Sequence, residues 1–387
     1  MRLALVGLGL LLVGGVAVLA GVLPTADVAA LAERVLPILA YVVAVTVVAE
    51  LAAEAGLFRT IAARLGGLAR GRAIVLWLLV AALAVVATAF LSLDTTAVLL
   101  TPVVVLLAAH AGLRPHPFAL ATVWLANAAS LWLPVSNLTN LLAAHRLGVD
   151  GPADFLALLW APALVATLVP IAIMLVLFRR ELAARFVPEA PERAEDPVLL
   201  RIAAAVVALL LPLLVTGVEP WIPATGAALV LVVAVAVRRR AALGIGLVPV
   251  PLLLFAAGLF LVVEAAHALG MTAALAVVAG EGEGLDALLR LSLGGALAAN
   301  VVDNLPAYLA LEPVADSPAR LAALLVGVNA GPLITPWASL ATLLWHARLT
   351  SLGVEISWRR YVLLGLVAAP LTVAAATLAL WLAQGMP

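Results

Sequence analysis

Residues 127–140 read NAASLWLPVSNLTN, and residues 329–342 read NAGPLITPWASLAT. At a constant offset of 202, Asn127/Asn329, Ala128/Ala330, Leu131/Leu333, Pro134/Pro336 and Leu138/Leu340 are identical. Ala and Leu coincide cheaply in an apolar chain; paired Asn and Pro inside apolar spans do not. Proline removes a backbone donor and clashes with the preceding turn, so each stretch predicts a helix broken in its middle. Around the breaks cluster Ser130, Ser136, Asn137, Thr139 and Asn140 in one half, and Asn329, Gly331, Pro332, Thr335, Ser339 and Thr342 in the other. Any one hydroxyl could bond back to its own helix. Two such clusters facing lipid would leave freed backbone groups without partners, so they turn toward protein or a wet cavity.

The rest of the chain makes lipid the solvent. Of 387 residues, 66% are apolar and 11% charged, and the mean hydropathy is +1.24. A soluble domain carries about 25% charge, so the sequence predicts a polytopic all-α membrane protein. The absence of Lys excludes a P-loop lysine and a Schiff base, and the absence of Cys excludes thiolate metal sites and thiol catalysis. No cofactor or metal site is expected. A net charge of zero gives nucleic acid nothing to bind. With no room for an ATP-hydrolysing domain, energy must come from an ion gradient or a separate subunit.

Apolar runs at about 3–23, 35–55, 118–145, 153–178, 199–217, 221–237, 249–268, 319–347 and 360–384 are each long enough for a core of about 30 Å. Arg2 ahead of the first run also fits a signal peptide, but the apolar run exceeds the usual h-region of about 7–15 residues. Blocks 73–112 and about 284–315 each hold two shorter arms around a polar tip, Ser92-Leu93-Asp94-Thr95-Thr96 in the first and Asp303-Asn304 in the second. They read as re-entrant hairpins, and a pair of full crossings stays open, because both return to the same side. With a cytoplasmic N-terminus and hairpins that return to their own side, 17 of the 21 Arg fall in the cytoplasm, including Arg193 and Arg238 to Arg240. Arg34, Arg146, Arg290 and Arg320 fall outside. Five crossings separate the hairpins, and an odd number inverts the second relative to the first. The expected organisation is a first inverted repeat at 1–178 (hairpin 73–112, broken helix 118–145), a cytoplasmic linker at 179–201, and a second repeat at 202–387 (hairpin about 284–315, broken helix 319–347). Inverted repeats with broken helices are a signature of secondary transporters.

Two broken helices and two tips would converge on one site walled by hydroxyls, amides and helix N-termini. The candidate solute-binding residues are Ser92, Asp94, Thr95, Thr96, Asn127, Ser136, Asn137 and Asn140 from the first half, with Asp303, Asn304, Asn329, Thr335, Ser339 and Thr342 from the second. Asp94 and Asp303, which correspond in order, read either as helix caps or as carboxylates that carry a coupling proton or cation. Glu50, Glu264 and His267 are further proton-coupling candidates, because ionisable groups within spans are functional by default. Glu50 and Glu264 read equally as interfacial carboxylates.

These motifs resemble the arsenite/antimonite efflux permeases of the ion transporter superfamily. Gly331-Pro-Leu-Ile-Thr-Pro-Trp-Ala-Ser-Leu-Ala-Thr-Leu-Leu-Trp345 is similar to that family's second broken helix, and Ala129 to Asn140 to its first. Leu93-Asp94 through Thr101-Pro102 resembles the first hairpin and Asp303-Asn-Leu-Pro306 the second. The family's usual Asn-Asp-Gly tip is here Leu93-Asp94-Thr95. Dicarboxylate/sodium symporters and some sodium/proton antiporters share the architecture, but the symporters' duplicated Ser-Asn-Thr signature is absent from both tips. The resemblance implies a multi-pass bacterial inner-membrane protein that exports arsenite or antimonite in exchange for protons by an elevator motion. It also implies, as partners, an energising ATPase subunit and a second copy of the chain in a homodimer. The rival readings are a sodium/proton antiporter, a small-anion (dicarboxylate-like) transporter, and a passive channel. A membrane-embedded hydrolase is disfavoured, since no nucleophile–base set or metal-ligand cluster is visible.

Overall fold

The computed structural model describes residues 2–147, 151–187 and 195–385. Arg193 therefore lies outside the described residues. Among those residues the chain is all helical, with one isolated bridge between Arg72 and Arg185.

The helices, in chain order, are α1 (Arg2–Leu19), α2 (Thr25–Glu54), α3 (Leu57–Leu68), α4 (Ala73–Leu91), α5 (Leu93–His110), α6 (His116–Ala128), α7 (Leu138–Leu147), α8 (Pro152–Leu177) and α9 (Pro197–Leu213). They continue with α10 (Trp221–Arg238), α11 (Val250–Ala268), α12 (Met271–Ala279), α13 (Leu285–Val302), α14 (Asn304–Leu311), α15 (Pro318–Ala330), α16 (Leu340–Ser351) and α17 (Trp358–Ala383). Eight of these are long and apolar enough to cross a membrane: α2, α4, α5, α8, α10, α11, α13 and α17. The same order of elements occurs twice, over residues 25–177 and 250–383. Helices α2 to α8 and α11 to α17 each read as a leading helix, a short helix, a hairpin, a broken helix and a closing helix, in inverted topology. The short helices α3 and α12 were not expected; Arg59 and Arg64 interrupt the apolar run over α3.

The halves exchange helices instead of folding side by side. Helix α1 packs along α11 of the second half, and α10 packs along α2 of the first. The α1–α11 crossing is close: a Cβ on Gly7 would lie 2.5 Å from the Phe255 backbone nitrogen. Such small-residue contacts replace the hydrophobic drive that lipid removes. The closing helices α8 and α17 pack on each other, and α17 packs on α13 and α15.

Helix α5 follows α4 across Ser92 alone and contains a π-turn at Thr96–Leu100. Helix α14 follows α13 across Asp303. The outgoing arms differ: α5 has 18 residues, whereas α14 has 8 and ends in a 3-10 turn at Glu312–Val314. An eight-residue arm spans about 12 Å at 1.5 Å per residue, so the second hairpin is re-entrant.

Candidate functional site

The two breaks are built differently from the same need. At the first, α6 ends in a 3-10 turn (Ala129–Leu131), a second 3-10 turn covers Pro134–Ser136, and Asn137 is extended before α7. The freed carbonyls are claimed locally. Asn140 Nδ2 donates to Ser130 O at 2.6 Å and Leu133 O at 3.1 Å, and the Ser136 hydroxyl donates to Leu133 O at 2.6 Å and to Ser130 O. The amide of Asn329, from the other half, then joins the cluster. Its Oδ1 accepts from Ser130 Oγ (3.1 Å), Thr139 Oγ1 (3.2 Å) and Asn137 Nδ2, while its Nδ2 donates to Asn140 Oδ1 at 2.9 Å. Asn329 ties the two broken helices together at the middle of the protein.

At the second break the clamp is Asn300, one turn before the hairpin tip. Its Oδ1 accepts from the backbone N–H groups of Ile334 (3.2 Å) and Thr335 (3.0 Å), and its Nδ2 donates to Gly331 O at 2.8 Å. Its carbonyl accepts from Thr335 Oγ1 (2.8 Å) and Trp337 Nε1 (2.9 Å). Helix α17 supports the same break through Gly365, where a Cβ would sit 2.0 Å from Leu333 O. Sequence reasoning missed Asn300; an amide within an apolar arm, one turn before a tip, was the available signal.

A cavity of about 310 Å³ lies where the tips and breaks meet, at the lower end of the size of small-ligand sites. Four helix N-termini, those of α5, α7, α14 and α16, begin beside residues that line it. Their backbone dipoles give the site positive ends that tolerate acids. The acids are Asp94, Asp303 and Glu50. Of the predicted binding residues, Ser92, Asp94, Thr95, Asn137, Asp303, Asn304 and Ser339 line the cavity. Thr96, Asn127, Ser136, Asn140, Asn329, Thr335 and Thr342 do not. Most of these brace the structure behind it: Thr96 Oγ1 bonds to Thr88 Oγ1 (3.0 Å) and to Ser92 O (3.2 Å), and Asn127 Nδ2 donates to Val123 O at 2.9 Å. Of the coupling candidates, Glu50 joins the two aspartates, but Glu264 and His267 lie off the cavity. His267 is held by Thr272 Oγ1 (2.8 Å) and Leu309 O (3.0 Å) instead.

The expected pairing of Asp94 with Asp303 is corrected by the backbone. Asp303 stands where the first tip has Ser92. Both residues have positive φ and extended ψ, and both cap the arm that follows. Ser92 Oγ accepts from Thr95 N at 3.3 Å, and Asp303 Oδ1 accepts from Leu305 N at 3.1 Å. Asp94 lies two residues further on.

Among the described residues no Arg or His lines the cavity. Ser339 lines the cavity, and its buried hydroxyl has no hydrogen-bond partner among the described residues. Helix α2 supplies Tyr41, Val42, Val45 and Thr46 to the wall, and Leu3, Gly246, Pro249 and Pro251 line one end. None of these was expected from sequence. Among the described residues no group of three or more acids and histidines could hold a metal ion.

Comparisons with known proteins agree with this architecture. The sequence profile of the citrate transporter family matches residues 2–382. An arsenical pump membrane protein of Yersinia enterocolitica is 30% identical over 384 residues, covering 91% of this chain and 87% of that one. One from Escherichia coli is 28% identical over 378 residues, with 91% and 87% covered. A putative arsenical pump membrane protein of Bacillus subtilis is 24% identical over 398 residues, with 92% and 89% covered. Among solved structures, the Alcanivorax borkumensis YdaH transporter has the same fold, with a TM-score of 0.60 at 17% identity over 99% of this chain and 98% of that one.

Proposed function

We propose that the chain, which belongs to the citrate transporter family and within it to the arsenical pump membrane proteins, exports arsenite or antimonite in exchange for protons. That it is a multi-pass membrane transporter follows from its family and its helices; the solute and the coupling are our reading. The observation that carries the reading is the chemistry of the cavity wall. It offers three carboxylates, hydroxyls and amides, with no basic side chain. A citrate trianion would bring three negative charges to a wall that already holds three acids. Like charges at such range are strongly unfavourable where water is scarce. Arsenite at neutral pH is an uncharged trihydroxy species, in effect a small polyol. Its hydroxyls can donate to ionised Asp94 or Asp303 and exchange bonds with Ser92, Thr95, Asn137 and Ser339.

Coupling follows from the same groups. The membrane potential does no work on a neutral solute, so the gradient must enter through a proton. An ionised carboxylate accepts hydrogen bonds from the solute. Once protonated it loses that acceptor strength, and the solute is released. Protonation from the proton-rich side and deprotonation on the other would drive solute toward the first. No proton need pass through the solute itself.

Acids in the cavity wall, though not clustered as a metal site, would also attract a cation, so sodium/proton exchange is the second reading. Transport by inside-out vesicles distinguishes the two: uptake of arsenite or antimonite, without uptake of sodium or citrate, is the expected result. Uptake of citrate alone would overturn the reading.

A further inference from the structure

Two scaffold helices grip the end of the second hairpin through polar contacts that the cavity does not use. Arg34 on α2 donates from Nη2 to Glu312 Oε1, and to the carbonyl of Leu142 on α7 at 3.2 Å. Tyr308 OH donates to the same carboxylate oxygen at 3.0 Å. Glu312 is 4% exposed and Tyr308 fully buried. On α11, His267 reaches Leu309 O at 3.0 Å; a carbonyl only accepts, so Nε2 carries the proton there. Residues 308–312 are thus held from two sides, and Arg34 also holds the second half of the first broken helix.

The first hairpin has no counterpart. The tips differ by 211 in number (303 minus 92), which matches Glu312 with Thr101. The Thr101 hydroxyl bonds to Thr122 Oγ1 at 3.0 Å, within its own half. Asp94 is the only Asp, Glu, Lys or Arg between 73 and 110, and among the described residues no ion pair joins this hairpin to α2, α10 or α11. Its ties to α2 are neutral and long: Tyr41 OH to Phe90 O at 3.4 Å, with Val135 O beyond the tip at 3.3 Å.

Pro251 opens α11 and lines the cavity, whereas His267, which holds the grip, lies 16 residues further along the same helix, about 24 Å away. On α2 the cavity wall runs from Tyr41 to Glu50, and Arg34 precedes Tyr41 by seven residues, about 10 Å along the helix. We propose that Arg34, Glu312 and Tyr308 form a latch that shuts one face of the transport cavity, the extracellular face by the arginine count. A transporter that exposes one site to two sides in turn must break such a contact in every cycle. A half-buried ion pair suits a two-state contact: removing Arg34 leaves the buried Glu312 carboxylate without its cation, whereas parting the two into water restores their hydration. The inference rests on the cavity being the transport route, but not on arsenite being its solute.

Two experiments test it. The chain has no Cys, so Arg34→Cys with Glu312→Cys supplies the only thiols. Joining them with a short, reducible bis-methanethiosulfonate linker should abolish vesicle transport, and a reductant should restore the unlinked rate. Linked protein that transports at the unlinked rate overturns the latch. The second readout needs no solute. Leu141 lines the cavity, and Leu141→Cys should label slowly with an impermeant maleimide applied from the extracellular side. Adding Arg34→Gln and Glu312→Gln should raise that rate by about tenfold, the shift expected when a closed state loses its bias. Exchanging the charges (Arg34→Glu with Glu312→Arg) should bring it back toward the parent. An unchanged rate, or a rise that merely tracks loss of monodisperse protein on size exclusion, counts against the latch.

Discussion

Ser92 and Asp303 hold the same unusual backbone conformation, φ 90° with ψ 158° at one tip and φ 115° with ψ 155° at the other. This region is essentially reserved for glycine and costs about 1–3 kcal/mol for other residues. Each residue ends one hairpin arm and caps the next. The repeats therefore align Ser92 with Asp303, and the two carboxylates near the tips, Asp94 and Asp303, are not symmetry mates. Asp303 combines capping with a cavity position, whereas Asp94 faces the cavity from the first turn of α5. Their roles can differ accordingly.

Glycine at either tip should relieve the strain while losing the cap. Ser92→Gly is expected to leave Tm in detergent unchanged or raised. Ser92→Ala keeps the strain and loses the acceptor for Thr95 N, and should lower it. If alanine proves as stable as glycine, the tip is unstrained.

Asn329 is the joint between the broken helices. Asn329→Ala deletes four hydrogen bonds and strands buried partners on Asn137, Thr139 and Asn140. At about 1–3 kcal/mol per stranded group, the loss should reach at least about 3 kcal/mol. The check is a fall in both Tm and membrane abundance, matched by Asn300→Ala at the second break. In contrast Ser339→Ala, which removes a hydroxyl with no partner among the described residues, should keep abundance near normal and impair transport.

The repeat, the two breaks and the hairpins were legible in the sequence because Pro and Asn stand out in apolar spans. The alignment of the tips was not, since Ser92 and Asp303 share a backbone shape and no side-chain chemistry. The second hairpin's return arm is also shorter, which shifts the offset from 202 at the breaks to 211 at the tips. Half of the predicted binding residues lie off the cavity, and four of them, Ser136, Asn140, Asn329 and Thr335, brace the breaks instead. Hydroxyls and amides serve both purposes, and only packing decides between them. Arg34 and Glu312, 278 residues apart, could not be paired from sequence.

Asp196 offers a contrast at the surface. Its carboxylate accepts from the side chain of Arg238 and from the backbone N–H groups of Leu199 and Val198, which hold its pKa down to about 2. A depressed folded pKa stabilises above the unfolded value of about 3.9, and that contribution is lost only as pH falls toward 2. Asp196→Asn should therefore lower Tm at pH 7, and the difference from the parent should shrink only below about pH 4. The transport pH profile between 5 and 9 should not move.

Sidedness can be read with single cysteines on this Cys-free background. Glu283→Cys should react with an impermeant thiol reagent from the extracellular side, and Arg240→Cys from the cytoplasm. Reaction of both from one side would contradict the inverted arrangement as oriented by the arginines.

The most direct measurement is arsenite accumulation by inside-out vesicles under an imposed proton gradient, comparing the parent with Asp94→Asn, Asp303→Asn and the double variant. These amides keep size and most hydrogen bonding but cannot release a proton. If the cavity carboxylates carry the coupling proton, gradient-driven accumulation is lost in the double variant and in at least one single variant, while downhill arsenite exchange persists in part. Full gradient-driven accumulation by all three variants would contradict the account, leaving Asp303 as a helix cap and Asp94 as an acid in the first turn of α5.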